Sequence, residues 1–357
     1  MPNRGTGAFL MLFSPKAKGF FVDHNENGVF VARTSAPKPP FTVEEMREVA
    51  KDNAAGLAEV LKQLQPKRPR SGYVHATVGM HSEKRFVRRA TVDLKRVKEV
   101  GYLDEVLQTQ FRIEPEKFTA AALRPNDGGE YDAPNATTKD VVLCGIPSDD
   151  IVAFQDSLLA QGIYPDRLEM TSVSCLGALA DYISFTRSKV PTLVLELGFD
   201  STHSFILSPS GIEASRPFPI GLSSMIPVVQ KELGLKDEDS AKRLFFSNTF
   251  DFTGMGAQLI QRLIRELQSS IGFYEVQTGL TIGQMVCIQF PPKLAWIADV
   301  VANELGIKML QPDMVTWLSA REVTLSDSVH AHAADPRWLG VLSLMVNYDA
   351  NASQTKA

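Results

Sequence analysis

At 357 residues with 44% hydrophobic content, the chain can bury a sizeable core and is long enough for two or more domains. A formal net charge of −4 argues against a global attraction to nucleic acid, and three cysteines without a CxxC spacing argue against a zinc site or a disulfide framework and fit a reducing compartment. The apolar run from Ala8 to Phe13 is shorter than the about 20 residues that span a bilayer, and it lacks a signal-cleavage pattern. The expectation is a soluble cytoplasmic protein that reaches a membrane only through a partner.

In chain order, Gly19 to Arg33 reads as strand, turn, strand, because Asn27-Gly28 accepts the positive φ of a two-residue hairpin. Asp23 stands at the end of the first strand. Pro37 to Pro40 is a short linker. Thr42 to Gln65 reads as one helix, with Thr42 and Glu45 as a capping box and an apolar stripe through Val43, Met46, Val49, Leu57, Leu61 and Leu64. Pro66 to Arg70 is a basic, rigid break. Beyond it, Tyr73–Val78 and Phe86–Val92 read as strands and Arg96–Gln110 as a helix. Lys117–Leu123 and Val141–Ile146 are strands flanking a Gly/Asn/Pro/Asp loop. Ser148 is placed to cap a helix over Ile151–Gln161. This stretch carries Lys84, Arg85, Arg88, Arg89, Lys95, Arg96 and Lys98. Its bland reading is a solvated face, and its sharper one is a contact for an acidic protein or an anionic lipid surface. The run has little aromatic interleaving, so nucleic acid ranks below both.

Ser172 to Thr186 is a small-residue helix suited to close packing. The chain is organised around the next stretch, Thr192 to Gly221, which reads as strand, acidic turn, strand, tight turn, strand. Glu196 and Gly198 stand at its first tip, as Asp23 does at the tip of the earlier hairpin. Such a tip has two readings: an ordinary β-meander, or a place where a glycine admits backbone amides to a phosphate and an acid holds hydrated magnesium. Two acidic hairpins suggest a duplicated domain with a site between the halves. Helices are expected over Ser223–Leu233, Asp239–Phe246 and Met255–Gln277. The last carries a core stripe through Leu259, Leu263, Ile264, Leu267, Ile271 and Tyr274. A strand at Met285–Gln289, a helix at Lys293–Leu305, Gly306 and a strand at Ile307–Leu310 repeat the plan seen from Val141 to Leu168. Asp335–Val346 reads as the last helix and Asp349 onward as disordered. His75, His81, His330 and His332 read as structural or solvated rather than ligands.

This order of parts resembles the PilM-like branch of the actin-like ATPase superfamily, cytoplasmic proteins of type IV pilus assembly related to FtsA. The resemblance rests on Glu196-Leu197-Gly198, Thr202, Arg216 and Ile220-Gly221, which follow that branch's Asp-x-Gly, Thr, Arg and Ile-Gly. It rests also on GIYPDRLEM at Gly162–Met170, LIRELQSSIGFYEV at Leu263–Val276 and PRWLGVLSLM at Pro336–Met345. It implies an α/β, two-lobed actin-like ATPase fold of duplicated ribonuclease-H-like domains, with an FtsA/PilM-type inserted αβ domain. The implied divisions are 1–70 and 166–190 with a C-terminal helix 335–348 for the first lobe, and 71–165 for the inserted domain. Residues 191–230 and 281–334 would form the second lobe, and 231–280 a helical insert. The resemblance places nucleotide contacts at Asp23, Asn25, Glu196, Gly198, Thr202 and Gly221, with ATP and magnesium as the family's ligands. It implies a location peripheral to the inner membrane and leaves a homo-oligomer open. The implied partner is the short cytoplasmic tail of a PilN-like inner-membrane protein, held in a groove between first lobe and insert with an apolar floor and basic edges near residues 71–124.

The departures from the family pattern weigh against catalysis. Asn25 stands for the glycine of the first turn, Phe30 for a lysine and Glu196 for an aspartate, and Gln289-Phe290-Pro291-Pro292 replaces the paired glycines of the adenosine loop. A proline offers no N–H. Micromolar nucleotide binding needs about 8 kcal/mol, and three lost contacts to charged phosphate at about 1.5–3 kcal/mol each remove most of it. The expectation is therefore a non-catalytic scaffold of a pilus or related secretion platform, with no metal and no cofactor. The alternatives are an active ATP-binding protein using Asp23, Glu196, Gly198 and Thr202, and below it a sugar-kinase relative, for which no general base stands out.

Overall fold

The computed structural model describes residues 18–65, 71–247 and 249–346. The run 8–13, the break at 66–70 and the tail from 349 lie outside them. The first strands are β1 (Gly19–Asn25), β2 (Gly28–Thr34) and β3 (Phe41–Val49), followed by α1 (Ala54–Leu64) and β4 (Val74–Met80). Next come β5 (Phe86–Thr91), α2 (Tyr102–Phe111), β6 (Phe118–Leu123) and β7 (Asp140–Pro147), then α3 (Ser148–Ala160), β8 (Ile163–Met170) and α4 (Thr171–Phe185). The second half runs through β9 (Thr192–Leu197), β10 (Thr202–Ser208), β11 (Gly211–Phe218), α5 (Ile226–Glu232), α6 (Glu238–Ser247), α7 (Gly256–Leu259) and α8 (Gln261–Thr278). It ends with β12 (Gln284–Cys287), α9 (Ala295–Leu305), β13 (Lys308–Met309), α10 (Met314–Ala320), β14 (Val323–Leu325) and α11 (Leu339–Ser343).

The two large sheets repeat one plan. The first has the order β14-β3-β2-β1-β4-β8 and the second β11-β10-β9-β12-β13. In each, three antiparallel strands lead into strands that run parallel to the first of them. The small-residue helix α4 lies between the sheets with α11. One core there joins Phe21 and Phe30 of the first sheet, Leu176 and Leu179 of α4, and Val194, Phe205 and Ile288 of the second. Continuous burial of this kind makes the base of the two lobes one packed body. The helices α5 to α9 cover the outer face of the second sheet through a separate core around Phe245, Leu263 and Leu267.

Several expectations are corrected. The helix expected over 42–65 is strand β3 followed by α1. A β-bulge explains the misleading spacing: Thr34 faces Val43 and Arg33 faces Glu45, so Glu44 is an extra residue. The bulge stretches the spacing of the positions facing the central core, Phe41, Val43 and Met46, while Val49 is buried on the opposite face against α1; the combined spacing imitates helical periodicity. Thr42 does not cap; its Oγ1 meets Thr324 Oγ1 of β14 at 2.9 Å. The strand expected at 73–78 within the inserted domain is β4, in the middle of the first sheet, and the separate three-stranded sheet β5-β7-β6 begins at Phe86. Residues 314–334, expected with the second lobe, return to the first: β14 pairs with β3, and Trp317 and Leu318 join the central core. Helix α2 begins only at Tyr102, after Gly101 at φ +83°. Ser148 is the first residue of α3, and its hydroxyl meets Thr119 at 3.0 Å instead of capping. The last helix is the single turn and a half of α11.

Candidate functional site

The two acidic hairpins meet at the N-terminus of α4. Thr171 Oγ1 donates to Asp23 Oδ1 at 2.6 Å, and the neighbouring Ser172 Oγ donates to Glu196 Oε1 at 2.7 Å. One helix end thus ties the acid of each lobe. The two hairpin tips lie close, with His81 between Glu26 of the β1–β2 turn at 3.1 Å and Glu196 at 3.7 Å. Of the six residues expected to hold nucleotide, the structure brings Asp23, Asn25, Glu196 and Gly198 to this junction. Thr202 and Gly221 serve the hairpin instead. Thr202 Oγ1 donates to Ile220 O at 2.6 Å, and Gly221 packs so closely that a Cβ would lie 2.4 Å from Phe199 O.

The polar groups of the junction turn inward. Asn25 Nδ2 donates to Asp23 Oδ2 at 2.7 Å while its Oδ1 accepts from the Asn27 amide at 2.9 Å. The Gly198 amide donates to Ser201 O at 2.9 Å. Asp23 is fully buried and pressed between glycines; a Cβ on Gly340 of α11 would stand 2.1 Å from its Oδ2. Burial raises the Asp23 pKa above the ordinary value against the pull of Thr171, Asn25 and His81. Gly340→Ala is expected to cost about 1–3 kcal/mol through this clash, measured as a lowered denaturation midpoint with unchanged slope.

Glu196 has a partner that the hairpin motif gives no sign of. Arg85, in the turn between β4 and β5, reaches across and places NH2 2.5 Å from Glu196 Oε2, with both side chains at or below 5% exposure. Its Nε donates to Ser172 Oγ at 2.7 Å and its NH1 to Ser82 O at 2.8 Å. Gln289 Nε2 donates to Glu196 Oε1 at 2.9 Å, and His81 bridges Glu26 at 3.1 Å and Glu196 at 3.7 Å. Burial alone would raise Glu196, but the charges of Arg85 and His81 hold it below the usual carboxylate range. The pair therefore sits charged and mutually neutralised. Sequence reading took Arg85 as one of a basic run; nothing local distinguishes it from Arg88 or Arg89. Gln289, read as part of a lost adenosine loop, holds a positive φ of 52° and contributes a hydrogen bond to the acid. Among the described residues no cluster of His, Cys, Asp and Glu is arranged to hold a metal ion. Asp23 is buried against Gly79 and Gly340, and Glu196 is paired with the Arg85 guanidinium.

A second candidate lies between β6, β8 and α4. It is an open groove of about 410 Å3 with Ala121, Leu123, Ile146, Leu168, Met170 and Val173 on its walls. Both flanking strands are sheet edges, β6 of the small sheet and β8 of the first. The expected basic edge is absent from it: Arg167 on the rim is bound to Glu169 at 2.8 Å, and Asp127 stands opposite. The basic run is dispersed, with Arg85 turned inward, Arg89 on Asp140 at 3.1 Å and Arg96 on Glu105 at 2.6 Å. Among the described residues no helix is long and apolar enough to cross a membrane.

No family model matches the sequence, and no curated protein matches it. Solved structures do. A chain of the PilM-PilN type IV pilus biogenesis complex superposes with a TM-score of 0.66 at 14% identity, covering 93% of this chain and 98% of that one. An archaeal actin homologue matches with a TM-score of 0.43 at 10% identity over 95% of this chain and 100% of that one. A Bacteroides thetaiotaomicron protein with an actin-like ATPase fold and unknown function matches with a TM-score of 0.42 at 9% identity over 89% and 95%. The first likeness carries the argument: this chain has the two-lobed actin-like fold, with the small sheet β5-β7-β6 inserted between β4 and β8.

Proposed function

We propose that the chain is a non-catalytic docking body of a type IV pilus or related secretion platform, cytoplasmic and held at the inner membrane by a partner. The observation that carries this reading is the Arg85–Glu196 pair. It occupies the point where the two hairpins of an actin-like fold would otherwise present a free carboxylate to a metal-bound phosphate. Closing that point with a charged pair and three further hydrogen-bonding side chains removes the phosphate subsite and leaves the two-lobed shape intact. The likeness to a chain of a PilM–PilN complex supplies the class of partner. The groove beside β6 is the place for an extended tail, because Thr119 to Ala121 of β6 are small and uncharged and leave one backbone edge open to a further strand, up to Ala122, whose carbonyl accepts from the Tyr131 amide.

Two measurements test the reading. Titration of the full chain with ATP and magnesium is expected to show no saturable binding below about 1 mM. Low-micromolar affinity with phosphate release would return the protein to the active ATPases. Calorimetry with synthetic cytoplasmic tails of single-pass pilus-platform proteins is expected to find one that binds. Ala121→Arg, which fills the groove, should weaken that tail at least about 30-fold. Failure of every such tail, or equal binding by the blocked variant, would remove the docking assignment.

A further inference from the structure

The run Ala8 to Phe13, Ala-Phe-Leu-Met-Leu-Phe, is six apolar residues joined to β1 through the five residues Ser14 to Lys18. Such a run is unfavourable wherever it meets water. Strand β8, at the outer end of the first sheet, offers it a free backbone edge. Beside that edge lies the tail groove, with Leu168, Met170, Ala121 and Val173 on its walls.

The register of the sheet fixes the reach. Phe21, Thr77 and Arg167 stand side by side in β1, β4 and β8, which run parallel. A strand spacing of about 4.8 Å puts a strand beyond β8 about 14 Å from β1, and five extended residues span about 17 Å. Lys18 and Arg167 line one hollow of about 430 Å3, and Arg167 stands on the rim of the tail groove as well. A connection across this hollow sets Phe13 beside the first half of β8. Traced back from there toward Ala8, the run follows β8 up to the level of Glu169, so its own direction is antiparallel to that strand. Residues 1–17 carry Arg4 and Lys16 and no carboxylate, and the groove's lining includes Asp127 and Glu169, so charge favours the fit.

We propose that residues 8–13 add as an antiparallel strand to the free edge of β8 and fill the tail groove from within the chain. Two strands do not share the groove, so a partner tail displaces the run to bind. The competition rests on the tail-docking reading, and the docked run does not. A five-residue connection holds the run beside the groove at an effective concentration of about 1 mM. A run that alone would bind at about 0.1 mM then weakens the tail about 10-fold.

The test uses the full chain carrying Phe9→Asp and Leu10→Asp together, which put a charge on each face of the run. Without any ligand, the outward amides among Arg167 to Met170 should exchange hydrogen slowly in the native chain and at least about 10-fold faster in the variant. A tail that binds the native chain should bind the variant about 10-fold more tightly. Faster exchange in the variant, with no tail binding to either protein, would support the docked run and remove the tail reading. Equal exchange in the two proteins, or a tail that binds both alike, would overturn the proposal and leave tail docking standing. So would a variant that loses sedimentation with phosphatidylglycerol vesicles at unchanged exchange, since the run would then be a lipid contact.

Discussion

Arg85→Met is expected to cost about 3–5 kcal/mol of stability, seen as a fall of about 4–7 °C in the thermal midpoint. The reason is the carboxylate left behind. Glu196 is 3% exposed, and Ser172 and Gln289 supply it only neutral donors. Without the guanidinium, the acid must stay charged in a poorly polarisable site or take up a proton, and either raises the energy of the folded state. The loss should also loosen the junction, because Arg85 binds Ser172 of α4 and Ser82 of its own turn as well as Glu196 of the second hairpin. Arg85→Met combined with Glu196→Met should recover most of the loss, since desolvating two charges nearly cancels their attraction. A fall of under about 1 kcal/mol for the single variant would mean that the pair does not hold the lobes together. Glu196→Gln alone should be destabilising too, by leaving Arg85 without its counter-charge.

The second large effect is a loss of stability of about 4 kcal/mol between pH 7 and pH 5 from two histidines. His24 is pushed down to about 4 by burial, with the edge of Phe154 against its ring at 5.1 Å. His203 is pushed down to about 4 by burial first and by the nearby Arg85 and Arg88 charges next, with Glu196 opposing. Both bind a proton more readily when unfolded, where the ordinary value is 6.5. The unfolded chain therefore holds more protons between about pH 4 and 6.5, and stability rises with pH through that window. The contribution is complete above the unfolded value and is lost as the pH falls toward the folded one, about 2 kcal/mol per histidine by pH 5. Glu26 and Glu196, both held low, act with the same sign further down, below their ordinary value of 4.5. Asp23, raised by burial, acts with the opposite sign and is unchanged in histidine variants. Denaturant midpoints of His24→Gln and His203→Gln at pH 7 and pH 5 isolate the imidazoles: each variant should lose about half of the native pH dependence. Equal slopes in all three proteins would show that neither ring is held neutral.

The two hairpins, their acids and the repeated strand–helix–strand plan were legible in the sequence. Their signals are local: turn residues at Asn27-Gly28 and Pro209-Ser210-Gly211, short apolar runs, and an acid at the tip. Gly198 and Asn25 could be named for the same reason. Three things were not legible. The bulge in β3 gave a strand the spacing of a helix. The return of 314–334 to the first sheet depends on a pairing between Val323–Leu325 and Phe41–Val43, residues far apart in the chain. The partner of Glu196 comes from a turn more than a hundred residues upstream, and a guanidinium in a basic run looks the same whether it faces solvent or a buried acid.

The sequence by itself determined which segments form strands with acidic tips and in what order they come, because backbone turn preferences and side-chain alternation act over a few residues. Only the tertiary structure decided what those acids face. A charge's environment is set by whatever the fold packs against it, and here packing placed Arg85 on one acid and Gly340 on the other.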